Sequence, residues 1–107
     1  MEIRGDILPA AFVSDPARRV EIARTILSQL PEWFGIPAAT EGYITDAAHE
    51  PCFVCEKDGA PVGFLCLKET GRSTVELAVM GVLKPCHRKG YGRALVDAAV
   101  AYARQTG

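Results

Sequence analysis

The stretch Val82-Leu83-Lys84-Pro85-Cys86-His87-Arg88-Lys89-Gly90-Tyr91-Gly92-Arg93-Ala94-Leu95 joins two kinds of sequence. Ahead of it, Thr74 to Val82 is almost uninterrupted in apolar residues, with Glu76 its only charge, which predicts a central strand buried on both faces. Behind it, Tyr91, Leu95, Ala98 and Tyr102 recur at helical spacing and predict a closing helix with one apolar stripe, Arg93 and Asp97 being placed to pair on its other side. Pro85 ends the strand, and Gly90 and Gly92 lead into the helix. The first amides of a helix have no internal acceptor, its dipole favours negative charge, and glycines let a phosphate approach the main chain closely. Arg88, Lys89 and Arg93 add charge at the same turn. From Lys84 onward there are five Lys or Arg against one acid, Asp97. The junction therefore predicts an anion site, although without the two glycines the same charges read as a solvated basic turn.

Upstream of the strand, Cys52 to Glu56 and Val62 to Lys68 are apolar runs on either side of Lys57-Asp58-Gly59-Ala60, and Asp-Gly between such runs predicts a β-hairpin. Gly71-Arg72-Ser73 turns the chain into the next strand. Earlier still, Ser14-Asp15-Pro16 opens a helix, because an Asp cap satisfies free amides and a Pro in the first turn loses no needed donor. Val20, Ala23, Leu27 and Leu30 continue it to Pro31, and a second helix is expected from Pro37 to about Ala48. A first strand is expected near Ile3 to Ile7. The order of two helices, a three-strand meander and a helix, without internal repeats, predicts a mixed α/β or α+β fold.

The whole chain agrees with one domain spanning residues 1–107. It has 107 residues, 49% hydrophobic and 23% charged, the balance of a globular protein with a single core. Twelve Lys or Arg against thirteen Asp or Glu give a net charge of -1, so no global field draws nucleic acid or an anionic membrane. The apolar runs fall far short of the roughly 18 residues a membrane span requires, and acids near the N-terminus do not fit a secretory signal, so a cytoplasmic location is expected. Cys52, Cys55, Cys66 and Cys86 read as buried thiols. Cys52-x-x-Cys55 lacks the helix start of a redox pair and the second pair of a zinc knuckle, and Cys86-His87 lacks further ligands at metal-binding spacing, so no metal is expected.

Two phosphate-binding motifs fail on inspection. Gly90-Tyr91-Gly92 supplies only two glycines of a dinucleotide fingerprint, with Leu95 in the third place, and no Gly-Lys-Ser or Gly-Lys-Thr completes a P-loop. What remains, a strand, a Pro and His87-Arg88-Lys89-Gly90-Tyr91-Gly92, resembles the acyl-CoA signature of the GNAT N-acetyltransferase superfamily: Arg or Gln, two variable residues, Gly, one variable residue, then Gly or Ala. His87 stands where that signature has Arg or Gln. The order of elements resembles the family's fold over roughly residues 12 to 107, its N-terminal portion, with a mainly antiparallel sheet and flanking helices.

The resemblance implies that Met80, Gly81 and Val82 hold the pantetheine arm of acetyl-CoA, and that His87, Arg88, Lys89, Gly90, Tyr91, Gly92 and Arg93 hold its pyrophosphate. It implies transfer of an acetyl group to a primary amine on a small molecule or protein, with Glu76 as the general base. Counting by two places Glu76 on the same strand face as Met80 and Val82 unless a bulge intervenes. A strand acid paired with a neighbouring backbone group or Arg explains Glu76 equally well, and a loop cap explains His87. Trp33 and Phe34 suit an acceptor pocket or the core. Because the family's fold continues beyond the elements present, the resemblance also implies an exposed Thr74–Val82 edge, completed by a second copy or a strand-supplying partner. The rival reading is a non-catalytic domain that binds CoA or a partner protein.

Overall fold

The structure is a computed structural model and describes residues 9–32, 37–72 and 74–106. Its elements are β1 (Ala11–Val13), α1 (Pro16–Leu27), α2 (Pro37–Asp46), β2 (Cys52–Lys57), β3 (Ala60–Gly71), β4 (Thr74–Val82) and α3 (Tyr91–Thr106), with short 3-10 turns at Ala47–His49 and Lys84–Cys86. The strands form one antiparallel four-stranded sheet in the order β1-β2-β3-β4. The expected strand near Ile3 to Ile7, together with Trp33 and Phe34, lies outside the described residues.

Local chemistry explains most of the boundaries. Asp15 caps α1, its carboxylate accepting from the Ala17 amide at 3.1 Å, with Pro16 in the first turn. Asp58 and Gly59 both have positive φ, +54° and +82°, as a tight hairpin turn with right-handed strand twist requires. The sheet then separates two apolar layers. Phe64, Cys66 and Val79 face Ile22, Ile26, Leu27 and Leu30 from α1 and the turn after it, with Ile44 from α2. Phe53, Leu65 and Leu67 face Tyr91, Leu95 and Ala99 of α3. Phe64, Leu65 and Leu95 are wholly buried, each such side chain contributing about 1.5–3 kcal/mol.

Three expectations are corrected. Among the described residues β4 pairs only with β3, so it lies at the sheet edge rather than centrally, and with only Val79 and Gly81 buried along it, it is not a strand buried on both faces. Its first half is exposed, Leu77 to 58%, whereas Met80 and Val82 in its second half pack against the cluster that α3 covers. Cys52 and Cys66 are joined by a disulfide, where separate thiols were expected; they are direct partners across β2 and β3, with Cα atoms 4.3 Å apart. Cys55 and Cys86 are buried free thiols. The third correction concerns parity. The register between β3 and β4 slips after Cys66, which opposes Val79 while Leu67 opposes Leu77, leaving Ala78 as an extra residue. Ala78 and Val79 in consequence both pack toward α1.

Candidate functional site

The site is built where β4 stops. Leu83 N–H donates to Val62 O at 2.8 Å, making that pair a hydrogen-bonded rung. Rungs alternate along an antiparallel ladder, so Gly81 and Val79 turn their main-chain polar groups toward β3, whereas Met80 and Val82 turn theirs to the open edge. Of the three residues expected to pair with pantetheine, Gly81 is thus engaged within the sheet. Its missing side chain makes room for α1: a Cβ there would stand 3.2 Å from both Ile26 Cγ2 and Leu30 Cδ1.

Beyond Val82 the chain makes the 3-10 turn and then a loop shaped by two left-handed residues, Arg88 at φ +62° and Gly90 at φ +96°. Gly90 is suited to that conformation; for Arg88 it costs about 1 kcal/mol, a strain that concentrates at functional loops. Ala94 N–H donates to Gly90 O at 3.0 Å and begins the ladder of α3, so the amides of Tyr91, Gly92 and Arg93 have no helical acceptor. A Cβ on Gly92 would meet nothing within 4 Å. The open edge, the loop and this first turn enclose a cleft of about 380 Å³ lined by Met80, Gly81, Val82, Cys86, His87, Arg88 and Gly92.

The expected cofactor residues therefore divide. Met80, Gly81, Val82, His87, Arg88 and Gly92 converge on the cleft. Lys89, Gly90, Tyr91 and Arg93 belong to the same turn but do not line it. Tyr91 sends its ring into the core beneath α3, and exposed Arg93 pairs with Asp97 at 3.5 Å as the helical spacing predicts. His87 Nε2 lies 2.6 Å from Val82 O. Lys84 is paired with Glu32, at the end of the turn that follows α1. Cys86, weighed in the sequence only as a thiol or metal ligand, lines the cleft; its position follows from the 3-10 turn, for which the sequence offers only Pro85 as a sign.

Glu76 is elsewhere. Its partner is Lys68, and Leu77 beside it opposes Leu67 on the α3 face, so the bulge at Ala78 places Glu76 on the α1 face, opposite Met80 and Val82. Parity counting without the bulge gave the wrong face. The structure adds Glu50, which the sequence reading missed. Leu67 N–H donates to Pro51 O at 2.9 Å, which sets Glu50 beside Lys68 and makes a cross-strand row of Glu50, Lys68 and Glu76. Burial, reinforced by Asp46, pushes the Glu50 carboxyl above its usual range, against the opposing pull of Lys68 and His49. The row depends on strand register, for which a single sequence carries no local signal. Among the described residues no three His, Cys, Asp or Glu are placed to share a metal, and no helix is long and apolar enough to cross a membrane.

The open edge of the sheet thus runs into a glycine-bearing loop that leads into α3. A family model described as the acetyltransferase (GNAT) family matches residues 19–107, and the chain belongs to that family. Solved structures share the fold. A GNAT-family protein from Desulfovibrio desulfuricans superposes with a TM-score of 0.67 at 19% identity, over 92% of this chain and 68% of its own. An IAA acetyltransferase from Bacillus cereus gives 0.60 at 17%, over 90% of this chain and 59% of its own. The N-acetylglutamate synthase of Neisseria gonorrhoeae, solved with coenzyme A and N-acetyl-glutamate, gives 0.64 at 20%, over 92% of this chain and 23% of its own. At these identities the likeness is one of fold. No curated protein matches the sequence.

Proposed function

We propose that this domain binds acetyl-CoA in the cleft at the end of β4 and transfers its acetyl group to a primary amine. The observation that carries the reading is the convergence of two unlike binding surfaces on one cavity: the outward main-chain groups of Met80 and Val82, and the first-turn amides of α3 around open Gly92. An amide-rich arm suits the first as an added strand, and a pyrophosphate suits the second. Acetyl-CoA brings a thioester to the outer part of β4. Glu76, two residues before the bulge and on the face opposite the Met80 and Val82 side chains, takes the proton from the attacking amine, the nitrogen forms its bond to the acyl carbon, and the bond to sulfur breaks with its electron pair leaving on CoA as the thiolate, which takes a proton from solvent. A cytoplasmic setting and an amine-bearing small molecule or protein as acceptor belong to the same proposal, as does completion of the β4 edge by a second copy or a partner strand.

Melting curves with acetyl-CoA, a longer acyl-CoA, NAD and ATP test the binding half. Acetyl-CoA is expected to raise the melting temperature by several degrees while NAD and ATP leave it unchanged. A stronger response to NAD or ATP would reassign the cleft. Release of free CoA in the presence of primary amines tests the chemistry. Glu76→Gln should lower kcat by roughly 100-fold or more while the KM for acetyl-CoA stays within about twofold. Acetyl-CoA binding without any turnover would favour the non-catalytic reading.

A further inference from the structure

His87 occupies the first position of the loop and departs from the Arg or Gln of the family signature. Its Nε2 stands 2.6 Å from the carbonyl oxygen of Val82. A carbonyl only accepts, so the ring must donate there, which places a proton on Nε2 and directs Nδ1 away from the strand. The carbonyl it reaches is one of the main-chain groups that alternation turns to the open edge of β4. The residue that follows, Arg88, is left-handed at φ +62°, so the chain reverses directly after the bonded ring. Both ends of this contact line the cleft.

We propose that His87 is a positioning residue that ties the phosphate loop to the end of β4 and sets the register in which coenzyme A lies along the strand. The proposal rests on the acyl-CoA reading of the cleft. The ring occupies one of the two lone pairs of the Val82 carbonyl, so strand-like pairing with pantetheine falls mainly on the Val82 N–H and the two polar groups of Met80. The same bond fixes the distance between those groups and the first-turn amides of α3. A Gln side chain can place an amide N–H near the position of His Nε2, which explains how one loop geometry accommodates His87 where the signature has Gln; Leu has similar bulk and no donor.

The test pairs a spectroscopic readout on the free protein with binding by three forms of the chain. Ring nitrogen shifts from NMR at neutral pH should report the Nε2–H tautomer of His87 with coupling to a carbonyl acceptor. Calorimetric titration with coenzyme A, and separately with adenosine 3′,5′-bisphosphate, which lacks the pantetheine arm, should then compare the parent with His87→Gln and His87→Leu. His87 is solvent-exposed, so both variants should fold, and their melting curves verify it. Expected results are coenzyme A affinity within about twofold of parent for His87→Gln and a loss of roughly tenfold for His87→Leu, the size of one hydrogen bond. The bisphosphate should discriminate less among the three. An Nδ1–H tautomer, or equal coenzyme A affinity in parent and His87→Leu, would overturn the positioning role while leaving the acyl-CoA site standing. A parent that shows the ring bond yet binds no coenzyme A would overturn the acyl-CoA reading itself, and with it any role for His87 in placing that ligand.

Discussion

Gly92 offers the cleanest test of the anion loop, because a side chain there meets open space and the position has no left-handed φ to disturb. Gly92→Asp should leave the melting temperature near that of the parent and weaken coenzyme A binding by roughly 100-fold or more, since like charges brought together cost several kcal/mol. Gly90→Asp is a less selective probe: its φ of +96° makes any side chain strained. Glu50 gives a prediction of the opposite kind. Its folded-state pKa is raised by burial and by Asp46, so folding opposes its ionisation. Any stability it confers is present in acid, below the unfolded carboxylate pKa, and is lost as pH rises through the folded value. Glu50→Gln should therefore raise the melting temperature at pH 7 and lose that advantage near pH 3, as paired thermal melts would show. Cys55, its thiol pushed up to about 11 by burial, should stay unreactive to alkylating agents at pH 8 until the protein unfolds.

Between elements, β4 approaches α1 closely at Gly81. Gly81→Ala would drive a methyl against Ile26 and Leu30, both in the buried core. Such overpacking costs about 1–3 kcal/mol, which for a domain of this size lowers the melting temperature by roughly 5–15 °C; Gly81 polar groups face β3, so the outward groups offered to coenzyme A are unchanged. At this scale the sequence was informative wherever a signal is local. Asp15-Pro16 marks the start of α1, Asp58-Gly59 the hairpin, and the apolar run from Thr74 to Val82 the observed bounds of β4. Features that depend on pairing were silent. β1 is three residues, Ala11–Val13, too short for alternation to register, and becomes a strand only because Val54, Phe53 and Cys52 lie opposite. The Cys52–Cys66 link needs the β2–β3 register, and the Ala78 bulge needs the slip between Leu67 and Leu77. The loop was legible as a motif, while the left-handed Arg88 was not, since only its glycines carry a sequence mark.

For the molecule as a whole, the β4 margin of the sheet carries exposed apolar surface. β4 bears outward main-chain groups at Met80 and Val82 beside a 58% exposed Leu77, a template for pairing with another strand. Sedimentation velocity over a hundredfold dilution is expected to show the 107-residue chain associating. A concentration-independent monomer would indicate that Leu77 and the outward groups are tolerated in water. The bulge at Ala78 has a different reach. Because it puts the Glu76 side chain on the α1 face while the main-chain groups of Met80 and Val82 point to the open edge, on the proposed function the two reactants would enter by separate doors, and neither would have to leave before the other arrives. Turnover should therefore pass through a complex holding both. Initial-rate plots against acetyl-CoA at several amine concentrations should intersect, whereas parallel lines would mean that the acetyl group is first parked on the protein. Free CoA should compete with acetyl-CoA but not with the amine, since the product leaves by the door its parent came through.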